Sequence, residues 1–306
     1  MNRQPLVSLV ILTWNRKEDT IETLQKLRDQ TYRDFEIVVV DNNSTDGVDD
    51  VIEKEFPDIR LIRLPKNLGV AGGRNVGIKN TRGKIVVFLD NDAIMAPDAL
   101  EIFLTEFSSA PEIGVVTAKI MNFYTGEISP TDWLHPYNYI PNSERSFFSP
   151  IFVGCCSALR KEIFEKIGFF PDDFFRQDEE IDLCVRLMDA GYRIKYCPNI
   201  VVYHKQSLAQ RSLPFQFYNS TKNNLSVVWK YLPFMLALKQ TAVRLFVLGV
   251  RGIQKGYFLA YLRGVAGFAV SLPGIIRKRK CIKAETLKEV RRLWRDGDKL
   301  IYRLLW

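Results

Sequence analysis

Residues 84–92 read Lys-Ile-Val-Val-Phe-Leu-Asp-Asn-Asp, KIVVFLDND. Ile85 to Leu89 is an unbroken apolar run of strand length. A continuous rather than alternating run belongs to a strand covered on both faces. The run stops on two carboxylates one residue apart, Asp90 and Asp92. At a strand end such a pair can face one divalent cation. Mg2+ and Mn2+ take hard oxygen ligands, are commonly shared with substrate phosphates, and offset charge that builds on a departing diphosphate. Short acidic pairs also abound in turns, so the weight of this one comes from its surroundings.

Upstream, Val7 to Trp14 (VSLVILTW) and Phe35 to Val40 (FEIVVV) are further strand-length runs, and Ile59 to Leu64 reads as another. Between them lie helical stripes: Ile21, Leu24 and Leu27, then Val48, Val51, Ile52 and Phe56, then a Gly-rich helix start over 69–80. Downstream, Pro97 opens a helix marked by Leu100, Phe103, Leu104 and Phe107, and Ile113 to Met121 is strand-like. Strands alternating with short helices predict an α/β fold with a mostly parallel central sheet. In such sheets the residues just past the strand C-termini line the ligand crevice. Here they read Thr13-Trp14-Asn15-Arg16, Asp41-Asn42-Asn43-Ser44 and Asp90-Asn91-Asp92. Residues 122–150, rich in Pro, Ser, Asn and aromatics, read as a long loop able to move, of the kind tied to function. A helix carrying Ile181, Leu183, Val185, Leu187 and Met188 follows, then strand runs at 192–197 and 200–204.

Asp41 opens DNNSTDG, an Asx-type turn that can also present its carboxylate to a base N–H. Gly69 to Asn75 (GVAGGRN) lets backbone approach a ligand, and Arg74 can reach a phosphate. The segment is neither GxGxxG nor GxxxxGK[ST], so dinucleotide-dehydrogenase and P-loop readings lose their support. Asp178-Glu179-Glu180-Ile181-Asp182 is a second acidic cluster, at a helix start. A hydroxyl acceptor needs a base, and Glu180, then Glu179, is the candidate; Asp182 is expected to hold a neighbouring group. His204 ends a strand-like run and can complete a metal shell with Asp92 and Asp90, whereas His135 is given no role.

The 306 residues are 47% hydrophobic and 25% charged, which excludes a disordered chain. The net charge of +8 points to an anionic partner. The five cysteines are odd in number and form no CxxC pair, so they read as buried free thiols in a reducing compartment. No signal-peptide pattern precedes the first strand, so the catalytic part is expected at the cytoplasmic face of the membrane or in the cytoplasm. After residue 213 the chain turns apolar with interspersed basic residues. Arg244, Arg251 and Lys255 share one helix face and Arg277-Lys278-Arg279-Lys280 forms a cluster, a pattern expected to lie on a membrane surface rather than span it.

The segments VSLVILTWNR, IVVVDNNSTDG, NLGVAGGRNVGI, VVFLDND, GCCSALRKEIFEKIGFF and EEIDLCVRLMDAGYRI, in that order over residues 6–205, resemble the family 2 glycosyltransferases, especially the rhamnosyltransferase-like group. The resemblance implies a GT-A fold over residues 1–212, with 213–306 as a basic amphipathic helical tail. It implies an inverting transfer from a nucleotide-diphosphate sugar, a UDP- or dTDP-sugar, to a lipid-linked or polysaccharide acceptor, assisted by Mg2+ or Mn2+. By the match Asp41 would contact the base, and Thr13, Asn15, Arg16, Asn43, Asn67, Arg74 and Asn91 would lie around the nucleotide sugar. Asp90 would serve ribose or metal, Asp92 the metal, and His204 matches a metal-contacting histidine. The family's catalytic Glu-Asp pair stands here as Glu179-Glu180, a departure that keeps a carboxylate in place. The membrane surface and a second copy of the chain are further expected partners; nucleic acid is not. The alternatives are a sugar-1-phosphate nucleotidyltransferase, which would want a Gly-rich, Lys-bearing loop where ILTWNRKED stands, and a non-catalytic sugar- or partner-binding module.

Overall fold

The computed structural model describes residues 5–207 and 212–299. Strands β1 (Val7–Thr13), β2 (Phe35–Asp41), β3 (Arg60–Arg63) and β4 (Ile85–Asp90) form a parallel half-sheet in the order β3-β2-β1-β4. Helices α1 (Lys17–Leu27), α2 (Val48–Glu55) and α3 (Gly69–Lys79) supply the crossovers. The register sets Thr13 opposite Asp41 and Leu12 opposite Asp90. Three polar strand ends therefore finish side by side, which is why residues far apart in sequence share one crevice.

The rest of the sheet is mixed. In chain order come β5 (Ala93–Met95), α4 (Ala99–Ser109), β6 (Ile113–Asn122), α5 (Tyr139–Asn142), β7 (Phe147–Ser149), β8 (Cys156–Arg160), α6 (Glu162–Ile167), α7 (Glu179–Asp189) and β9 (Arg193–His204). β8 lies antiparallel between β4 and β6, β6 runs parallel to β9, and β5 and β7 pair antiparallel with β9. Six strands (β1 to β4, β6 and β9) thus run one way and three the other, the mostly parallel sheet expected. The runs at 192–197 and 200–204 are one strand. Its register against β6 jumps from Cys197 to Val201, where Pro198 has no N–H to give the ladder.

Both faces of the sheet are covered. Val10, Val86 and Phe88 enter one apolar cluster; Leu9, Ile11, Val87 and Leu89 enter the other. This is the burial that continuous apolar strands require. The segment 122–150 is packed, which corrects the expectation of a loop free to move. Trp133, His135 and Ser149 are buried, and Trp133, His135, Phe147 and Tyr196 make mutual ring contacts. His135 Nδ1 lies 2.8 Å from Ser149 Oγ, a structural role.

Four helices follow: α8 (Leu213–Tyr231), α9 (Phe234–Gln254), α10 (Phe258–Arg277) and α11 (Ala284–Arg295). Ser212 caps α8 by accepting the Phe215 N–H. Leu225, Val228, Phe268, Val290 and Trp294 join the same cluster as Phe88 and Leu183, so the core runs on from the sheet into these helices. The expected membrane-facing stripe of Arg244, Arg251 and Lys255 is corrected at Arg244, while Arg251 and Lys255 are exposed. Arg244 is buried and lies on the side of α9 that also buries Ala237 and Gln240, seven and four residues earlier. The opposite side exposes Met235, Phe246 and Ile253 at 74%, 72% and 65%. Of the described helices, Phe258–Arg277 is long and apolar enough to cross a membrane.

Candidate active site

The three strand ends open into a cavity of about 410 Å³ lined by Thr13, Trp14, Arg16, Asn42, Asn67, Arg74, Asp90, Asn91, Asp92, Phe175 and Arg176, among others. Its walls are set by short-range hydrogen bonds. The Asn91 amide donates to Thr20 Oγ1 (2.9 Å) and Thr13 Oγ1 (3.2 Å), pinning the middle of Asp90-Asn91-Asp92 to β1 and α1. Asn42 donates to Asn67 Oδ1 (2.9 Å) and accepts the Leu68 N–H (2.8 Å), which fixes the turn before α3. Asp41 accepts the Ser44 N–H (3.0 Å). Burial raises its pKa, against the pull of the Ser44 bonds. Asn15 donates its N–H to Ser44 Oγ (3.0 Å) and accepts from the Thr45 N–H (2.6 Å), tying the β1 and β2 loops together. Asn15 and Asp41 build the turns behind the cavity, and Asn43, in left-handed backbone (φ 68°), is exposed. Asn42, one residue earlier, is the asparagine that lines it.

Around Asp92 the polar groups are dense. Asp92 Oδ2 accepts from Arg16 Nη1 at 2.6 Å and from the Ser207 N–H at 3.0 Å. Asp92 Oδ1 lies 3.1 Å from His204 Nε2, and Asp90 Oδ2 lies 3.9 Å from the same nitrogen. His204 Nδ1 meets Asp132 Oδ2 at 2.9 Å. Asp90, Cys155 and His204 each bring a ligand atom within 4.8 Å of the others. Two carboxylates and an imidazole oriented by a further carboxylate form a donor set suited to a divalent cation. Burial pushes the Cys155 thiol up to about 12, so it offers the weakest ligand of the group. Asp132 and Cys155 escape sequence reasoning. Asp132 lies in an irregular segment 72 residues from its partner, and Cys155 sits in an apolar run.

A second cleft, of about 670 Å³, abuts the first and shares Val70, Arg74, Asp90 and Arg176 with it. Glu179 and Glu180, from the first turn of α7, line it. Gln177 and Asp178 before that turn are in left-handed backbone (φ 70° and 61°), a conformation non-glycine residues hold only when their surroundings enforce it. Asp178 accepts from Ser220 Oγ at 3.0 Å, and burial lifts its pKa to about 6 despite the bonds from Ser220 and Asn224. Asp182 binds Arg186 Nε (2.8 Å) and Tyr231 Oη (2.9 Å), locking α7 to α8 as a holding residue.

Arg74 links the two cavities. Its guanidinium donates to Glu180 Oε1 and to the Gly154 carbonyl, each at 2.8 Å, and lies 3.4 Å from Asp90 and 3.8 Å from Glu179. Burial works against its charge, but Glu180, Asp90 and Glu179 hold the proton more firmly than usual. The guanidinium expected to reach a phosphate is therefore engaged by carboxylates. Burial and then the charge of Glu180 lift Glu179 to about 8, against Arg74. One Glu179 carboxylate oxygen, Oε2, is buried without a hydrogen-bond partner. Gly154 makes this packing possible: a Cβ there would stand 2.0 Å from Glu180 Oε1 and 3.0 Å from Arg74 Nη2.

Known proteins resemble this chain to different degrees. The sequence model of glycosyl transferase family 2 matches residues 8–168. An uncharacterized glycosyltransferase of Haemophilus influenzae is 29% identical over 60% of this chain, and one of Rickettsia felis is 40% identical over 56%. The poly-beta-1,6-N-acetyl-D-glucosamine synthase of Staphylococcus epidermidis is 25% identical over 64%. The matches span 62%, 28% and 49% of these three relatives, so the chain covers only part of each. Among solved structures, the mannosyltransferase PcManGT of Pyrobaculum calidifontis, in complex with GDP-Man and Mn2+, aligns with a TM-score of 0.57 at 22% identity, covering 89% of this chain and 76% of its own. TarS of S. aureus in complex with UDP-GlcNAc aligns at 0.62 and 18%, covering 89% and 83%.

Proposed function

Since the chain belongs to glycosyl transferase family 2 and has the GT-A fold, we propose that it transfers a sugar from a nucleotide-diphosphate donor to a hydroxyl of a lipid-linked or polysaccharide acceptor, with inversion. The observation that carries this reading is the meeting of two cavities at Arg74, Asp90 and Arg176, one lined by the strand ends and the other by the carboxylates of α7. A donor held in the first presents its anomeric carbon to an acceptor held in the second.

The nucleotide occupies the cavity beneath Trp14, Asn42, Asn67 and Phe175. Asp92, Asp90 and His204 are the residues that would hold Mg2+ or Mn2+. The ion, when bound, neutralises diphosphate charge as the leaving group departs. Asp132 keeps the His204 ring oriented, and Arg16 keeps Asp92 in place. Glu180 takes the proton of the acceptor hydroxyl as its oxygen bonds to the anomeric carbon and the carbon–phosphate-oxygen bond breaks. The nucleoside diphosphate leaves on the opposite face, which inverts the centre. Arg74 fixes the position of the Glu180 carboxylate and ties it to Asp90.

The same reading puts the protein at the cytoplasmic face of a membrane. Met235, Phe246 and Ile253 on α9 and Leu259, Val270 and Ile276 on α10 are at least half exposed, with Lys239, Arg263, Arg277 and Lys278 among them, a composition suited to anionic lipid. Phe246→Glu with Val270→Glu should abolish co-sedimentation with phosphatidylglycerol vesicles, and retained binding would remove the membrane from the reading. For the chemistry, a thermal-shift and transfer screen of nucleotide sugars with and without Mn2+ is the test. A donor that stabilises the fold only with the ion and is turned over supports the proposal. No shift and no turnover with any donor defeats it.

A further inference from the structure

We propose that the inner face of α9 carries a binding site for a phosphate group of the acceptor, with Arg251 as the residue that contacts it; this rests on the transferase reading above. Arg244, Val247, Leu248 and Arg251 line the second cleft and recur at the 3-4-7 spacing of one helix face. The two arginines are two turns apart, about 10 Å along the axis. They are not equivalent. Arg244 is buried beside Asp178, whose charge supports its own. Arg251 is exposed and makes no ion pair among the described residues.

The cleft has two electrostatic poles. The carboxylates of Glu180 and Asp90 stand at the end next to the donor cavity, where the Arg74 guanidinium is already engaged by both. Arg251 occupies the α9 end. An acceptor that presents a neutral hydroxyl to Glu180 and an anionic group to Arg251 satisfies both. A planar guanidinium suits a phosphate in particular, since it offers paired donors to two oxygens. Gln216, on α8, lines the same cleft and keeps its side-chain N–H groups buried without a hydrogen-bond partner, a further donor for such a ligand.

The other side of α9 narrows the class of acceptor. The apolar face of Met235, Phe246 and Ile253 lies on the far side of the same helix, so one helix diameter, about 10 Å, separates the arginine row from any lipid the face enters. A phosphate at headgroup depth, with a sugar above it and a hydrocarbon chain below, matches that span. A saccharide linked to lipid through phosphate or diphosphate has this form; a neutral polysaccharide does not.

The test uses the full chain and farnesyl diphosphate as probe, in EDTA so that a divalent ion does not draw the probe to the donor cavity. Titration calorimetry should show binding to the wild type, competition by inorganic pyrophosphate, and no binding of farnesol. Arg251→Ala should weaken farnesyl diphosphate about tenfold or more, with Arg251→Lys in between. Equal affinity in wild type and Arg251→Ala, or no binding to the wild type, overturns the site. Phosphatidylglycerol vesicles without probe separate the two sources of phosphate. Vesicle binding unchanged by Arg251→Ala supports an acceptor site, and a loss as large as that for the probe overturns it in favour of a headgroup contact. None of these readouts needs turnover. Absence of donor binding in the nucleotide-sugar screen would defeat the transferase reading and leave the phosphate result as measured.

Discussion

The two cavities that meet at Arg74 are built on different principles. The strand-end cavity is made by the parallel half-sheet, where in-register strands deliver Thr13, Asn42, Asp90 and Asp92 to one edge and neighbouring loops fix them through bonds such as Asn91 to Thr13. The second cleft is assembled from distant parts of the chain: Asp132, Gly154, Glu180, Arg244 and Trp294 all line it. The first wall changes only if the sheet changes. The second can be altered by substituting a helix face or a packed segment. A common donor chemistry with variable acceptors is what such a division permits.

This contrast can be broken at either wall. Asp92→Ala removes a carboxylate that three groups converge on, Arg16, Ser207 and His204, and should lower transfer by more than about 10³-fold even at saturating Mn2+. Near-normal rates would take the ion away from this pair. Glu180→Gln should retain donor affinity by calorimetry while kcat falls by about 10²–10⁴-fold; a preserved kcat would move the base to Glu179. Asp132→Asn leaves the ring of His204 less firmly oriented and should weaken Mn2+ affinity by about 10–100-fold, with circular dichroism unchanged. An unaltered affinity would show that His204 is not a ligand.

The smallest effect concerns stability. Glu179 has an ordinary value of 4.5 and is lifted to about 8 in the fold. Between those values the folded protein keeps a proton that the unfolded chain has released. The stability this supplies is present at low pH and lost as pH rises through about 8. Glu179→Gln cannot ionise, so its melting temperature relative to the wild type should climb between pH 5 and pH 9. A difference that stays flat would mean Glu179 is not buried as a neutral acid.

Sequence carries the first wall far better than the second. Val7–Thr13, Phe35–Asp41 and Ile85–Asp90 announce themselves because a strand buried on both faces must be apolar throughout, and their polar ends follow directly. The choice between Asn42 and Asn43 is not local. The Asn42 N–H bonds to the Thr13 carbonyl at 2.9 Å and turns its side chain inward, a consequence of strand register that no spacing rule contains. Asp132 and Cys155 depend on contacts across the fold and have no signature of their own. The arginine row of α9 shows a different limit. Periodicity identifies residues that share a helix face, but not how deep each one sits; charge suggested solvent or lipid, and at Arg244 the buried counter-charge of Asp178 reverses that, while Arg251 stays exposed. Cys281, grouped with buried thiols by composition, is exposed.

Gly154 sets a limit on how such a site can drift. A methyl group at that position would overlap the carboxylate of Glu180 and crowd Arg74. The smallest step available to the genetic code is therefore also a step that shifts the ends of Glu180 and Arg74 together. Leu134, Leu213, Val247 and Arg251 line the same cleft without touching that contact, so its shape can vary there while the spacing between residues 154 and 180 is kept.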